Sequence, residues 1–192
     1  MRSARAKAAD LGSDAITAAT ADLLSVLAAT VNASAVVEIG ASTGVSGAAL
    51  LAGMTDEGVL TSIDVEAENQ RVARDTFTAL GYDHVRTRLI TGRALEVLPR
   101  LQDSAYDIVF VNGDRTEYPA IVAQARRLLR AGGLIVLNAA LGTGGLADTG
   151  QREAGQQALR EAANTLRDED HWLPALLTVG SGLLIATLRS AE

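Results

Sequence analysis

The sequence has no cysteine, and among its 192 residues only one lysine, Lys7. Without cysteine there is no disulfide framework, no thiolate metal site and no cysteine nucleophile. Every other basic residue is arginine, so lysine chemistry is confined to the N-terminal stretch. The two histidines, His84 and His171, leave little scope for imidazole catalysis or a histidine zinc site. Aromatics make up 3% of the chain, which gives a stacked aromatic ligand little to rest on. Positive charge is also short: 17 Lys+Arg against 23 Asp+Glu give a net charge of −6. That balance disfavours nucleic-acid binding, which needs a basic footprint. No apolar run approaches the roughly 18 residues of a membrane span. Met1 to Asp10 is polar and basic without an apolar h-region, so the expectation is no secretory signal, no membrane and a cytoplasmic protein.

What is present is 48% hydrophobic sequence in an alternating pattern, consistent with one domain: an N-terminal arm over 1–16 and a core over 17–192. Thr17 to Val31 has helical spacing, and Ala35 to Ile39 is a short buried strand running into a Gly-rich turn. Four more strands follow at Val59–Ile63, Val85–Ile90, Tyr106–Val111 and Leu134–Leu137. Helices are expected between them at Val45–Met54, Glu66–Leu80, Ala94–Leu101 and Glu117–Arg130, then a long one at Gln151–Arg167. Gly81 and Gly132-Gly133 read as helix stops. The last two strands, Leu173–Val179 and Leu183–Leu188, are joined through Gly180-Ser181-Gly182, which permits only an antiparallel hairpin. The fold class expected is α/β: a doubly wound, Rossmann-like sheet of seven strands, mostly parallel with a C-terminal antiparallel hairpin.

In such sheets ligands bind beyond the carboxyl ends of the strands. Strand one ends Glu38-Ile39-Gly40-Ala41-Ser42-Thr43-Gly44 and strand two ends at Asp64. Strand three ends at Thr91-Gly92-Arg93, strand four at Asn112-Gly113-Asp114-Arg115, and strand five at Asn138-Ala139. Gly40 and Gly44 allow a sharp turn and close approach to a ligand. Glu38 can accept from an ammonium group and Asp64 from ribose hydroxyls. Ser42 stands where the second glycine of G-x-G-x-x-G would be, which weakens a nucleotide-binding oxidoreductase reading. Both histidines precede strands, at the opposite end. Arg126, Arg127 and Arg130 complement a helix dipole, and Trp172 is a packing anchor or an interface residue.

Val36-Val37-Glu38-Ile39-Gly40 through Val45-Ser46-Gly47 resembles motif I of S-adenosylmethionine-dependent methyltransferases, and Thr61 to Glu66 resembles their second motif. More narrowly, Phe110 to Pro119, Leu128 to Gly133 and Val179 to Leu184 resemble the catechol O-methyltransferase-like, cation-dependent O-methyltransferases of bacteria. The likeness runs over roughly residues 8 to 189, and the terminal hairpin belongs to it. It implies S-adenosylmethionine as cofactor, a small-molecule acceptor and a homodimer. By matching position, Glu38 would hold the methionine amino group and Ser46 the carboxylate region. Asp64 would bind ribose, and Gly92, Arg93 and Ala94 would border adenine. Asn112 to Asp114 would pass the sulfonium. Leu141 to Thr149 would help to wall the acceptor pocket.

The resemblance also implies a divalent cation, held by an Asp after strand four and an Asp-Asn pair after strand five, with a lysine assisting deprotonation. Those positions are Asn112, Asn138-Ala139 and Arg115 here. Hard cations prefer charged oxygens, so no divalent metal is expected. Arginine stays protonated and is a poor base; Arg115, with Asp114, is left as the candidate catalytic residue, orienting an anionic acceptor or stabilising an oxyanion. Two readings follow: methyl transfer by proximity without metal, or a catalytically inactive protein binding S-adenosylmethionine or S-adenosylhomocysteine. Asn112-Gly113 is also a deamidation-prone dipeptide, although a neutral turn is the simpler reading.

Overall fold

In the computed structural model, which describes residues 2–10, 15–141 and 149–190, strand and helix alternate and close into one seven-stranded sheet. In chain order the elements are α1 (Arg2–Asp10), α2 (Ala18–Thr30), β1 (Ala35–Ile39), α3 (Val45–Gly53), β2 (Val59–Asp64), α4 (Ala67–Ala79) and β3 (Thr87–Thr91). Then come α5 (Ala94–Val97), β4 (Tyr106–Val111), α6 (Tyr118–Leu128), β5 (Leu129–Asn138), α7 (Thr149–Asp168), β6 (Trp172–Leu177) and β7 (Leu183–Leu188). The strand order is β3-β2-β1-β4-β5-β7-β6. The first five strands are parallel, and β7 runs antiparallel to both β5 and β6. The expected α/β architecture and terminal hairpin are therefore present. The order reverses between β1 and β4, and a ligand crevice forms where the carboxyl ends diverge.

Period-two alternation splits the core into two layers. On β4, Ile108 and Phe110 face a cluster with Leu24, Leu50 and Phe77, while Val109 and Val111 face one with Ile121, Leu128 and Leu166. All of these are fully or almost fully buried, each worth about 1.5–3 kcal/mol for the large side chains. Trp172 packs into the second cluster as an anchor.

Several boundaries differ from the sequence expectation, for local reasons. β3 starts at Thr87 rather than Val85, because the Asp83 carboxylate accepts from the backbone N–H of Val85 and Arg86 and holds a turn there. The helix expected from Glu117 begins as a single 3-10 turn, Arg115–Glu117, and becomes α6 with Pro119 in its first turn. The glycine pair 132–133 lies inside β5, which reaches back to Leu129 through a register shift opposite Tyr106 and Ile108. The N-terminal arm is in part a helix: Ala4 and Ala8 of α1 are buried, and the Ala4 carbonyl accepts from Thr43 Oγ1 at 2.8 Å. Arg127 and Arg130 do more than face a helix dipole. Arg127 donates to the Leu98 and Leu101 carbonyls, and Arg130 pairs with Asp107 at 2.6 Å. Segment 142–148, most of the expected acceptor wall, lies outside the described residues.

Candidate active site

Glu38 sits on β1 beside Ser62 of β2, its register partner on the same face of the sheet. It is completely buried, and Ser62 Oγ donates to Glu38 Oε2 at 2.7 Å. Oε1 has no hydrogen-bond partner. Burial pushes the Glu38 carboxyl from its ordinary 4.5 up to about 7; Ser46, Ser62 and the Gly47 N–H pull the other way, and the nearby Asp64 charge adds to the rise. Gly47 makes room for this carboxyl: a Cβ there would lie 2.6 Å from Phe77 Cζ and 2.8 Å from Glu38 Oε2. A buried carboxyl with an orphaned oxygen is costly unless something donates to it.

The turn after β1 is held tightly. Gly40 has φ 82°, and a Cβ there would meet the Asn112 carbonyl oxygen at 2.6 Å, so the ends of β1 and β4 pass each other only with glycine at this position. Ser42 adopts φ 47°, and its N–H donates to Asp64 Oδ2 at 2.8 Å. The other Asp64 oxygen accepts from Glu66 N–H at 2.9 Å and from Asn69 Nδ2 at 3.2 Å. Asp64 thus ties together the turns after β1 and β2. A carboxylate offers about four lone-pair sites, so capacity remains for a further donor. Ser46, in the first turn of α3, is buried near Glu38, while Gly44 caps that helix with φ 82°.

Gly92 N–H donates to the Asp64 carbonyl at 2.9 Å, which docks the end of β3 against β2. Ala94 is buried at the start of α5. Arg93 reaches across to the turn after β4 and pairs with Glu117 at 2.9 Å.

At the ends of β4 and β5, Asn138 Nδ2 donates to Asn112 Oδ1 at 2.6 Å. The two amides form a neutral clasp at two of the positions where the family resemblance implies cation ligands. The Tyr118 hydroxyl lies beneath it and donates to the Asn138 carbonyl at 3.1 Å; burial pushes its pKa up. Ala139 takes φ 57°, a left-handed conformation that an asparagine accepts more readily than an alanine. Asp114 Oδ1 accepts from Thr116 N–H at 2.9 Å and caps the short turn that holds Arg115. Arg115 is half-buried and has no ion-pair partner among the described residues.

The topology therefore gathers Glu38, Gly40, Gly44, Ser46, Asp64, Gly92, Arg93, Ala94, Asn112 and Asn138 around the carboxyl ends of the five parallel strands. Ser62 and Gln70 were not foreseen. Gln70 Nε2 bridges the Ser62 and Ile90 carbonyls at 3.0 and 3.1 Å, tying β2 to β3. An apolar groove of about 300 Å³ lies between α7 and the last two strands, lined by Leu159, Leu176 and Leu184 and by Ala140 and Leu141, which follow Asn138-Ala139 at the end of β5.

With that geometry in place, the similarities to known proteins are informative. The O-methyltransferase family model matches residues 1–189. This chain belongs to the O-methyltransferase family. A relative from Mycobacterium sp. (strain KMS), named "Putative O-methyltransferase", is 48% identical over 183 residues, covering 95% of this chain and 83% of the relative. A crystal structure from Corynebacterium glutamicum is 34% identical with TM-score 0.89, over 100% of this chain and 90% of that one. The O-methyltransferase TomG from Streptomyces achromogenes, crystallised in complex with SAM, shares the fold at TM-score 0.85 and 24% identity, over 98% of this chain and 89% of that one. Membership of the O-methyltransferase family agrees with the resemblance read from motif I and the turn after β4. Among the described residues, no helix is long and apolar enough to cross a membrane.

Proposed function

We propose that this chain is an S-adenosylmethionine-dependent O-methyltransferase that methylates a hydroxyl or carboxylate of a small molecule without a divalent cation. One contrast supports the reading: beneath the Gly-rich turn a buried carboxyl keeps an orphaned oxygen, while the expected cation position is closed by two neutral amides.

The residues fit the cofactor. Glu38 Oε1 would accept from its ammonium group and Ser46 would contact its carboxylate. The spare capacity of Asp64 would serve the ribose hydroxyls, and Gly92, Arg93 and Ala94 would border the adenine. When bound, the sulfonium supplies an activated methyl group, and TomG with SAM supports this assignment by shared fold. What the chain contributes is orientation, which by itself supplies much of the rate for a reaction between two held partners.

The residues do not fit a hard divalent ion. Asn112 Oδ1 accepts from Asn138 Nδ2, and the buried Asn138 Oδ1, which has no hydrogen-bond partner, is a neutral oxygen where a hard cation prefers charged ones. Ala139 offers no side-chain ligand atom, and among the described residues no group of three or more His, Cys, Asp or Glu could hold a metal ion. The alternative of a protein that holds cofactor or product without turnover is favoured by one observation, that no lysine or histidine stands at the ends of β4 and β5 among the described residues. Asp114 spends one carboxylate oxygen on its cap, Glu117 pairs with Arg93, and the single lysine is exposed on α1.

Calorimetric titration with S-adenosylhomocysteine, with magnesium and after chelation, tests the proposal. Affinity is expected to agree within about twofold across the conditions. Binding that requires magnesium would refute the metal-free part, and no binding near millimolar ligand would refute the cofactor part. Turnover with S-adenosylmethionine then separates enzyme from binder.

A further inference from the structure

We propose that α1 is a strap over the turn after β1, held there by Thr43, so that docking of this helix and binding of the cofactor strengthen each other. The inference rests on the cofactor reading above and adds Thr43, as a positioning residue, and an N-terminal element to that same site. The first observation is how the turn is braced. Gly40, Ser42 and Gly44 take φ 82°, 47° and 82°, so much of the turn lies in the left-handed region. For a serine that conformation persists only where the surroundings hold it. On one side, Ser42 N–H donates at 2.8 Å to Asp64 Oδ2, the carboxylate proposed for the ribose. On the other, Thr43 is completely buried and joins two helices. Its Oγ1 donates to the Ala4 carbonyl of α1 at 2.8 Å, and its carbonyl accepts from Thr76 Oγ1 of α4 at 3.0 Å. Consecutive residues of one turn thus hold the cofactor carboxylate and the N-terminal helix.

The second observation is how little else holds α1. Among its described side chains, Ala4 and Ala8 are the buried ones, one turn apart on the same face, and each buries a single methyl. Ala6, Lys7, Ala9 and Asp10 are exposed, and Arg5 donates to the Ile16 carbonyl just ahead of α2. A helix of 9 residues is marginal by itself in water. The buried hydrogen bond from Thr43 is therefore a large share of what keeps α1 docked. Undocking would strip that hydroxyl of its acceptor and free the turn on the side away from Asp64. Cofactor contacts that fix the turn favour the docked helix, and the docked helix presents the turn preformed, so the coupling is reciprocal.

The test uses the full chain and two readouts. Calorimetric titration with S-adenosylhomocysteine is expected to show binding about 5- to 20-fold weaker for Thr43→Val, which keeps the shape and loses the hydroxyl, and for Ala8→Glu, which undocks α1 without touching the turn. Thr43→Ser, which keeps the hydroxyl, is expected to bind within about twofold of wild type. The second readout is amide exchange over residues 2–10 of wild type. Saturating S-adenosylhomocysteine is expected to slow it by about the same 5- to 20-fold, because reciprocity makes the two factors equal. A merely structural hydroxyl would lower Tm and leave that exchange indifferent to ligand. Exchange of α1 unchanged by saturating ligand overturns the proposal, and so does an Ala8→Glu chain that binds like wild type. Weakening by Thr43→Val alone would assign the hydroxyl to the turn and remove α1 from the site. If S-adenosylhomocysteine does not bind wild type, the cofactor reading falls and this inference with it; if it binds and α1 is indifferent, only the coupling is lost.

Discussion

Replacing Glu38 by Gln is expected to abolish a pH dependence of stability that the wild-type chain has because its carboxyl is buried. Folding raises the pKa of this group from 4.5 to about 7, with burial as the main cause and the Asp64 charge adding to it. Below pH 4.5 the carboxyl is protonated in both states and costs nothing. Between 4.5 and 7 the unfolded chain gives up the proton and the folded chain keeps it, so the folded state binds more protons and stability falls as pH rises. Above about 7 the loss is complete. At about 1.4 kcal/mol for each tenfold in proton affinity, the span corresponds to about 3 kcal/mol. Gln keeps nearly the same shape and can still meet Ser62, but it does not titrate.

Urea unfolding of the ligand-free chain at several values between about pH 5 and 8.5 measures the difference directly. Wild type is expected to lose about 3 kcal/mol relative to Glu38→Gln across that range. Other titrating groups cancel between the two proteins; the depressed carboxyl of Asp107, for example, acts only below the range. Saturating S-adenosylhomocysteine should flatten the wild-type slope, because an ammonium on Oε1 favours the ionised form. Parallel curves for the two proteins without ligand would refute the argument that Glu38 is held in a buried, under-satisfied state.

Three smaller predictions accompany this one. Asp64→Ala removes the acceptor of three donors and is expected to weaken S-adenosylhomocysteine binding by about 1–3 kcal/mol, with a lower Tm; unchanged affinity by calorimetry would remove Asp64 from the site. Tyr118→Phe withdraws the hydroxyl from the Asn138 carbonyl, and chemical denaturation is expected to show a loss of about 1 kcal/mol. Peptide mass spectrometry of aged protein is expected to find Asn112 unmodified, because its side chain is clasped by Asn138; a growing aspartate or isoaspartate fraction would contradict a persistent clasp.

The sheet was legible because five apolar strands alternate with helix-length segments and a short link, residues 178–182 in the structure, closes the last pair. Boundaries slipped where a side chain captured backbone groups, as Asp83 does ahead of β3, or where glycines that read as a helix stop were absorbed into the bulged start of β5. Helix α1 was missed because its sequence is polar and, among the described residues, the buried ones are two small alanines, Ala4 and Ala8. Glu38 and Asp64 stood out as acidic residues ending apolar strands. Ser62 carried a signal that went unread: on adjacent parallel strands it shares a face with Glu38. The unusual residues at positions 112, 138 and 139 were visible in the sequence, but their mutual hydrogen bond was not. It depends on the β4–β5 register, in which Val111 pairs with Leu137 and brings the following asparagines side by side.

That register also explains why the two amides belong together, and it can be tested by reversing them. Two adjacent parallel strands end with side chains close enough for a 2.6 Å hydrogen bond. Carboxylates at both positions would repel each other unless a cation lay between them; two unit charges about 4 Å apart at an effective dielectric of about 20 oppose each other by about 4 kcal/mol. Amides remove the repulsion and supply a donor and an acceptor in its place. The double variant Asn112→Asp/Asn138→Asp is therefore expected to lose a few kcal/mol at neutral pH, ~2–4 by this reckoning, since one carboxyl takes up a proton to escape part of the cost. Restoring Ala139→Asn as well should make stability respond to millimolar magnesium, which wild type should ignore. Thermal unfolding with and without magnesium reads both effects. A double variant as stable as wild type in the absence of any cation would show that the two side chains do not face each other, and the clasp would no longer account for a metal-free site.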